Sequence, residues 1–194
     1  MQTAVYTKKG CARAIRYAFE LARERGKKNH VTSITKSNAL GYMTIWDRTF
    51  EEISEEYADI ESDSLLIDAA CMDLVRRPEA FDVIVAPNLF GDIVTDIGAI
   101  ITGSMGLASS ANINPDTSVP SMFEPTHGSA PDIAGQGIAN PMAQILTAAM
   151  MLRHLGEYKA ATDVDAAVLN CLNRVKFSPQ ISADLQPQKV SETP

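Results

Sequence analysis

The sequence predicts an α/β fold in which short buried strands alternate with amphipathic helices. Two observations lead to this class. The runs HVTSIT (30–35) and FDVIVAP (81–87) have the length and the apolar, β-branched composition of buried strands. Between and after these runs, apolar residues recur at helical spacing over longer segments. Alternation of the two patterns is typical of α/β proteins.

Composition limits the classes of function. The chain has 194 residues, 45% hydrophobic and 21% charged, which is typical of globular proteins rather than disordered or fibrous chains. A net charge of −7 disfavours a nucleic-acid or anionic-membrane surface. Cys11, Cys71 and Cys171 have no CxxC spacing, so neither a disulfide framework nor a thiolate zinc site is indicated. No apolar run is long enough for a membrane span, and a reducing, cytoplasmic compartment is the default expectation.

The first part of the chain predicts a helix, a strand and a second helix. Apolar residues at helical spacing predict a helix over 11–25, which Gly26 ends. The strand 30–35 ends at Lys36, so that the segment Lys36-Ser37-Asn38 lies just beyond it. The second helix, TIWDRTFEEISEEY (44–57), has one aromatic and aliphatic stripe, which is expected to face the core.

A second strand and helix follow. SLLI (64–67) predicts the strand, and Asp68 begins a helix that ends at Pro78. Taken alone, Asp68 is explained most simply as the N-cap of that helix.

The segment from residue 81 to residue 103 contains a pair of carboxylates. A buried strand over 81–87 is followed by a helix predicted from Gly91 to Gly103. Asp92 and Asp96 are four residues apart, so on that helix they share one face. Two carboxylates just beyond the end of a strand suit Mg²⁺ or Mn²⁺. The alternative is that acidic residues in a first turn only complement the helix dipole.

The remainder of the chain is rich in loops and ends in helices. A loop-rich segment with one short extended piece precedes a strand that leads into a glycine-rich loop up to Pro141. Asn140 is the predicted N-cap and Pro141 the predicted first residue of a helix that continues through MAQILTAAMMLRHL (142–155) and ends at Gly156. A further helix is predicted over about 157–176, and the polar tail from residue 178 is expected to be frayed.

Four groups of residues are candidates for chemistry. Each has a structural alternative when taken singly: Lys36 as a solvated lysine, His127 as a loop histidine with its hydrogen bonds satisfied. Neither GxGxxG nor GxxxxGK[ST] is present, so the Rossmann fingerprint and the P-loop are not indicated. The groups are Lys36 with Asn38, Asp68, Asp92 with Asp96, and the loop 127–140.

Three ordered motifs resemble one family. NLFGDIVTD (88–96), HGSAPDIAG (127–135) and the lysine of KSN (36–38) closely resemble the β-decarboxylating dehydrogenases, which act on isocitrate, 3-isopropylmalate, D-malate and tartrate. The resemblance extends from about residue 2 to about residue 175. The segments NINPDTSVPSMFEPTHG and KSNALGYMTIWD are most similar to the tartrate/D-malate branch.

This resemblance implies a fold and a division of the chain. The fold is an isopropylmalate dehydrogenase-like two-domain α/β fold, of which the chain is the C-terminal part. Residues 1–81 would belong to the small, dimer-forming domain and 82–177 to the large cofactor and metal domain, with 178–194 as a polar tail. The arginine cluster and the tyrosine that such enzymes use would precede this chain. The chain alone is therefore expected to turn over no substrate and to self-associate.

The resemblance also implies a site that two subunits of a homodimer share, in the cleft between domains. Asp92 and Asp96 of one subunit would hold Mg²⁺ or Mn²⁺. Asp68 of the partner would reach the same metal, and Lys36 and Asn38 would come from that partner too.

The implied cofactor is NAD. The loop from His127 would wrap the adenosine half, with His127 packed on adenine, Asn140 bonded to it and Asp132 accepting the ribose 2′-hydroxyl. A carboxylate at that position repels a 2′-phosphate, so NAD is expected over NADP. The implied cofactor-binding residues are Asn38, His127, Gly128, Ser129, Ala130, Asp132 and Asn140.

The implied reaction is the oxidation and decarboxylation of a small 2-hydroxy diacid, tartrate or D-malate. A divalent cation would stabilise the developing charge on the substrate oxygen. It would also disfavour the ammonium form of Lys36, which could then take the hydroxyl proton as a general base. Two alternatives remain at this point: isopropylmalate or isocitrate as substrate, and a non-catalytic subunit that modulates a longer partner.

Overall fold

The computed structural model describes residues 3–116 and 118–174. The chain divides into two compact units, Met1–Gly98 and Ala99–Pro194, and each is described by itself. Helices alternate with parallel strands in the first unit, which confirms the predicted α/β class. Within the described ranges, no helix is long and apolar enough to cross a membrane. The division after residue 81 that the resemblance implies stays a prediction.

The first unit is built around a three-stranded parallel sheet. In chain order it contains α1 (Lys8–Arg25), β1 (His30–Thr35), α2 (Thr44–Ser54), β2 (Glu61–Leu66), α3 (Ile67–Arg76), β3 (Val83–Val85) and most of α4 (Asn88–Ile101), whose last three residues belong to the second unit. The strand order is β2-β1-β3, so β1 is central. Thr35 of β1 pairs with Leu66 of β2, and the carboxyl ends of the two strands therefore lie side by side.

Two layers of helices cover the two faces of this sheet. On one face, Ile15 and Phe19 of α1 pack with Phe50 of α2 and with strand residues such as Val31. On the other face, the core is formed by residues of β1, α3, α4 and the short 3₁₀ turn Gly41–Met43: Ile34, Met43, Ala70, Leu74, Phe90 and Val94. The side chains of β1 alternate between these cores, because successive residues of a strand point to opposite faces.

The second unit is a two-stranded antiparallel ribbon packed against helices. β4 (Ser109–Asn112) pairs with β5 (Met122–Pro125). α5 (Met142–His154) packs on both strands and on α6 (Tyr158–Arg174). The predicted end of α6 near residue 176 and the predicted tail 178–194 lie outside the described residues.

Two helices begin three residues before their predicted starts. α1 begins at Lys8 because Thr7 caps it, its hydroxyl accepting a hydrogen bond from the Gly10 amide at 3.1 Å. α4 begins at Asn88 instead of Gly91. The third correction concerns β2, which begins at Glu61 and not at residue 64. The apolar pattern missed this start because the first four residues of the strand are polar and exposed. Apolar periodicity locates elements by their buried faces and therefore misses polar ends.

Candidate active site

Lys36 and Asp68 form an ion pair at the carboxyl end of the sheet. Lys36 follows the last residue of β1, and Asp68 lies in the first turn of α3, two residues after β2 ends. Because β1 and β2 are parallel and in register, the two side chains meet, and the Lys36 ammonium donates to the Asp68 carboxylate. This bond lowers the pKa of the Asp68 carboxyl, and a hydrogen bond from the backbone adds to the effect.

The structure overturns the N-cap interpretation of Asp68. The N-cap position of α3 is Leu66, which makes no side-chain capping bond. Asp68 is exposed, and its carboxylate accepts a hydrogen bond from the Lys36 ammonium. Two of the residues predicted to act together are therefore in contact within one chain.

Lys36 also begins the turn that contains Asn38. The Lys36 carbonyl accepts hydrogen bonds from the amides of Ala39 and Leu40, at 3.0 and 2.8 Å. Asn38 is exposed in this turn. The backbone of the predicted catalytic lysine is thus held by bonds at the start of the loop.

Asp92 and Asp96 lie on the exposed face of α4. The helix buries Phe90 and Val94 against the sheet, and both aspartates point away from that core. The interpretation that they complement the helix dipole is wrong for this helix, since α4 starts at Asn88 and its first turn contains no acidic residue. Both carboxylates are accessible to a ligand.

The three predicted metal carboxylates do not gather within one chain. Among residues 3–116 and 118–174, no three His, Cys, Asp or Glu side chains lie close enough together to hold a metal ion. Asp68 therefore does not complete a site with Asp92 and Asp96 of the same chain.

The predicted cofactor loop has a strained and open backbone. It follows β5 and contains a 3₁₀ turn at Pro131–Ile133. Ala130, just before that turn, has a φ of 41°, a conformation that costs energy for a residue with a Cβ and is enriched at functional sites. Gly128, Ser129 and Asp132 are exposed. The loop therefore presents Gly128, Ser129 and the Asp132 carboxylate to solvent.

His127 has one ring nitrogen bonded and one without a partner. Its Nδ1 lies 3.0 Å from the Gly128 carbonyl oxygen, which can only accept, so Nδ1 carries the proton. In the neutral ring Nε2 is then an acceptor, and this atom is buried without a partner among the described residues. The expectation of a fully satisfied histidine is wrong, and a donor group from a ligand would complete the ring's bonding.

Asn140 packs closely against Gly106, a residue that the sequence analysis did not single out. Its Oδ1 accepts from the Met142 amide at 3.0 Å, although the N-cap position of α5 is Pro141 and not Asn140 as predicted. A Cβ on Gly106 would lie 3.1 Å from Asn140 Nδ2 and 3.2 Å from its Cβ. The only sequence signal was a glycine in a loop-rich segment.

A parallel α/β unit with a lysine–aspartate pair at its strand ends and an exposed carboxylate pair is consistent with the class of metal-dependent dehydrogenases that the motifs indicate. The sequence model of the isocitrate/isopropylmalate dehydrogenase family matches residues 1–193. The chain belongs to this family, which confirms the resemblance.

Individual relatives match nearly the whole chain. A probable tartrate dehydrogenase/decarboxylase of Bacillus subtilis is 53% identical over 176 residues, covering 90% of this chain and 48% of that protein. A 3-isopropylmalate dehydrogenase of Thermobifida fusca is 48% identical over 198 residues, covering 98% of this chain and 55% of that protein. The crystal structure of an isocitrate dehydrogenase from Methylococcus capsulatus superimposes with a TM-score of 0.88 at 42% identity, covering 95% of this chain and 56% of that one. The predicted isopropylmalate dehydrogenase-like fold is thereby confirmed, and the chain spans about half the length of the relatives it matches.

Proposed function

We propose that this chain provides the catalytic lysine, the metal carboxylates and the adenosine-binding loop of an NAD-linked dehydrogenase. The enzyme would oxidise and decarboxylate a small 2-hydroxy diacid. The observation that supports this most directly is the contact between Lys36 and Asp68, because a general base and a metal ligand must lie within reach of one substrate oxygen.

The carboxylates fit a hard divalent cation. Asp92 and Asp96 are exposed on one face of α4, and Asp68 is exposed at the end of the sheet. Aspartate oxygens are the ligands that Mg²⁺ and Mn²⁺ prefer. When bound, such a cation would supply Lewis-acid stabilisation of negative charge on the substrate oxygens.

Lys36 would act as the general base. Its side chain is half-buried, and its amino group contacts Asp68, the proposed metal ligand that would lie beside the substrate. A divalent cation bound beside Lys36 would disfavour the ammonium form, and the neutral amine could then accept the proton of the substrate hydroxyl. Such a role typically contributes about 10²- to 10⁴-fold in rate.

The loop after β5 fits the adenosine half of NAD. The unpartnered Nε2 of His127 can accept a hydrogen bond from an exocyclic amino group. Asp132 is exposed and can accept from a ribose hydroxyl, whereas its charge disfavours a 2′-phosphate. Asn140 is held beside Gly106 with its carbonyl oxygen directed at the Met142 amide.

We propose further that the site is shared across a homodimer. Each predicted metal-binding helix has exposed apolar side chains beside its carboxylate. On α3, Met72 and Val75 lie at helical spacing from Asp68 and are 66% and 71% exposed. On α4, Leu89 and Ile93 flank the face of Asp96 and are 58% and 40% exposed. Large apolar side chains clustered on an exposed face favour an interface.

A second copy explains why the carboxylates lie apart within one chain. If α3 of one copy packs near α4 of the other, the apolar side chains become buried and Asp68 approaches Asp92 and Asp96. A two-fold arrangement would form this contact twice and would complete two equivalent sites.

Tartrate or D-malate is the favoured substrate. The support is the 53% identity to the probable tartrate dehydrogenase/decarboxylase of Bacillus subtilis and the segment 112–128, which resembles that branch. The alternative is 3-isopropylmalate, because the Thermobifida fusca enzyme of that name is 48% identical over a longer alignment.

A chimaera tests the function. The N-terminal half of the Bacillus subtilis relative would be joined to this chain, and NADH formation would be measured with tartrate, D-malate, 3-isopropylmalate and isocitrate. We expect turnover of tartrate or D-malate, and a loss of about 10²-fold or more in kcat for Lys36→Met. The chain on its own is expected to form no NADH.

Three results would contradict parts of this proposal. Preference for 3-isopropylmalate or isocitrate would overturn the substrate assignment. A folded chimaera that binds Mn²⁺ and NAD but turns over none of the four acids would favour a non-catalytic role. Equal activity of Lys36→Met would remove the lysine from the mechanism.

A further inference from the structure

Two side-chain hydrogen bonds fasten the first turns of α2 to β1, immediately before Lys36. The indole Nε1 of Trp46 donates to Ser33 Oγ at 3.0 Å. The hydroxyl of Thr35 donates to Asp47 Oδ1, also at 3.0 Å. Ser33, Thr35 and Trp46 are buried. Together these bonds close the loop 36–43, which begins with Lys36 and contains Asn38.

Thr35 and Lys36 point to opposite sides of the sheet. Thr35 meets α2 through Asp47, whereas Lys36 meets α3 through Asp68. Successive side chains at the end of a strand diverge in this way. A bond that holds the Thr35 side chain on one side of the sheet therefore also orients the backbone of Lys36, whose side chain lies on the other side.

Asp47 is well placed to act as this anchor. It lies in the first turn of α2, where the helix dipole stabilises a negative charge. A charged acceptor makes a stronger bond to the Thr35 hydroxyl than a neutral one would. The hydroxyl is buried, so it could not regain a water partner easily if the bond were lost.

We propose that Asp47 is a positioning residue, which holds Lys36 through Thr35 in the orientation that reaches Asp68. The catalytic consequence rests on the proposed function of Lys36 as general base. The positioning itself does not, because the contact between Lys36 and Asp68 exists without substrate or cofactor.

The first test uses the 194-residue chain and the ammonium signal of Lys36. In a ¹⁵N-labelled sample, the signal of Lys36 would be identified by its loss in Lys36→Met. The change that Asp68→Asn causes would show how the signal differs when the ion pair is absent. We expect Asp47→Ala to change the chemical shift of this signal in the same direction as Asp68→Asn does, or to broaden it as Asp68→Asn does. Asp47→Asn keeps an acceptor oxygen and should restore most of the wild-type signal.

Two variants separate positioning from general destabilisation of α2. Trp46→Phe removes the neighbouring bond to Ser33, and Ser54→Ala removes a hydroxyl that bonds within α2 at its far end. Both should leave the Lys36 signal in place. Thr35→Val deletes the donor of the same bond and should act as Asp47→Ala does, which keeps the test available if Asp47→Ala fails to fold.

An unchanged Lys36 signal in folded Asp47→Ala and in Thr35→Val would overturn the proposal. So would an equal disturbance of the signal by Trp46→Phe, since the effect would then belong to the docking of α2 as a whole.

The second test separates the positioning from the catalytic role. In an active chimaera, Asp47→Ala should lower kcat about tenfold or more, with a smaller change in KM, and Asp47→Asn should recover activity. If the chimaera is inactive but the Lys36 signal still responds to Asp47→Ala, the proposed function fails and the positioning role stands. An active chimaera whose kcat is unaffected by Asp47→Ala would contradict the catalytic consequence.

Discussion

Polar substitutions on the exposed faces of α3 and α4 should separate two copies of the chain and weaken metal binding. The variant Met72→Gln/Ile93→Gln leaves Asp68, Asp92 and Asp96 intact and adds no charge that could repel a cation. Within one chain, Met72 and Ile93 are 66% and 40% exposed, so their buried fractions together equal about one side chain. Full burial of one large apolar side chain stabilises by about 1.5–3 kcal/mol, so we expect the folded subunit to lose no more than about 3 kcal/mol of stability.

The size of the effect on association follows from these exposed fractions. Full burial of a large apolar side chain stabilises by about 1.5–3 kcal/mol. The exposed parts of Met72 and Ile93 would then contribute roughly 1.6–3 kcal/mol per chain. The symmetry of a dimer doubles this to roughly 3–6 kcal/mol, so Kd for dimerisation should rise about 10²- to 10⁴-fold.

Sedimentation velocity over a range of chain concentrations measures the association, and Mn²⁺ titration followed by electron paramagnetic resonance measures the binding. Leu155→Gln is the matched control, because Leu155 is 64% exposed but lies at the end of α5, and so on neither α3 nor α4. The control should leave both quantities unchanged. The reasoning fails if the double variant dimerises like the wild type, or if it becomes monomeric and still binds Mn²⁺ with the original affinity.

Three further predictions concern single side chains. Phe19 is fully buried between two aromatic rings, so Phe19→Ala should lower the free energy of unfolding by about 3–5 kcal/mol in urea denaturation. Burial opposes ionisation of the Asp82 carboxyl, but bonds from Arg25 and the backbone outweigh it and lower its pKa. Its stabilisation is therefore complete above about pH 4 and is lost as the pH falls further, so Asp82→Asn should show a shallower loss of stability between pH 4 and pH 2. Gly106→Ala should displace Asn140 and weaken NAD binding, measured by calorimetry on the chimaera.

Control substitutions and a contradicting outcome accompany these three predictions. Val5→Ala changes a side chain that is 80% exposed and should alter the unfolding free energy by less than about 0.5 kcal/mol. Gly41→Ala adds a Cβ that meets nothing within 4 Å and should leave NAD binding unaffected. If the stability of Asp82→Asn falls with pH in parallel with that of the wild type, Asp82 does not contribute to the loss of stability in acid.

Sequence patterns were sufficient where a residue's role depends on its own segment. The strand 30–35 was predicted with its observed bounds, and Lys36 therefore lies where it was expected, just beyond β1. Lys36 and Asp68 come together because each follows one of two paired parallel strands, an arrangement that motif order indicates but spacing alone does not.

Pairings between distant segments could not be predicted. The bond from Thr35 to Asp47 joins a strand end to a helix twelve residues later, and no periodicity indicates that the two side chains face each other. The tight contact of Gly106 with Asn140 spans a longer distance in sequence, and the glycine has no positive φ to mark it. Asp68 was taken as an N-cap because the apolar Ile67 was assigned to the preceding strand, whereas it is the first residue of α3.

The shared metal site is tested most directly by mixing complementary variants. Asp68→Asn and Asp96→Asn chains, each with a different affinity tag, would be co-expressed, and the dimers that contain both tags would be isolated. In a shared site one of the two sites of such a dimer is intact, because the unaltered Asp68 of one chain meets the unaltered Asp92 and Asp96 of the other.

We predict about one Mn²⁺ bound per mixed dimer, with binding strongly weakened in both parental dimers, as measured by electron paramagnetic resonance titration. Wild-type Mn²⁺ binding by the Asp68→Asn dimer, or none by the mixed dimer, would contradict a site formed by two copies of this chain.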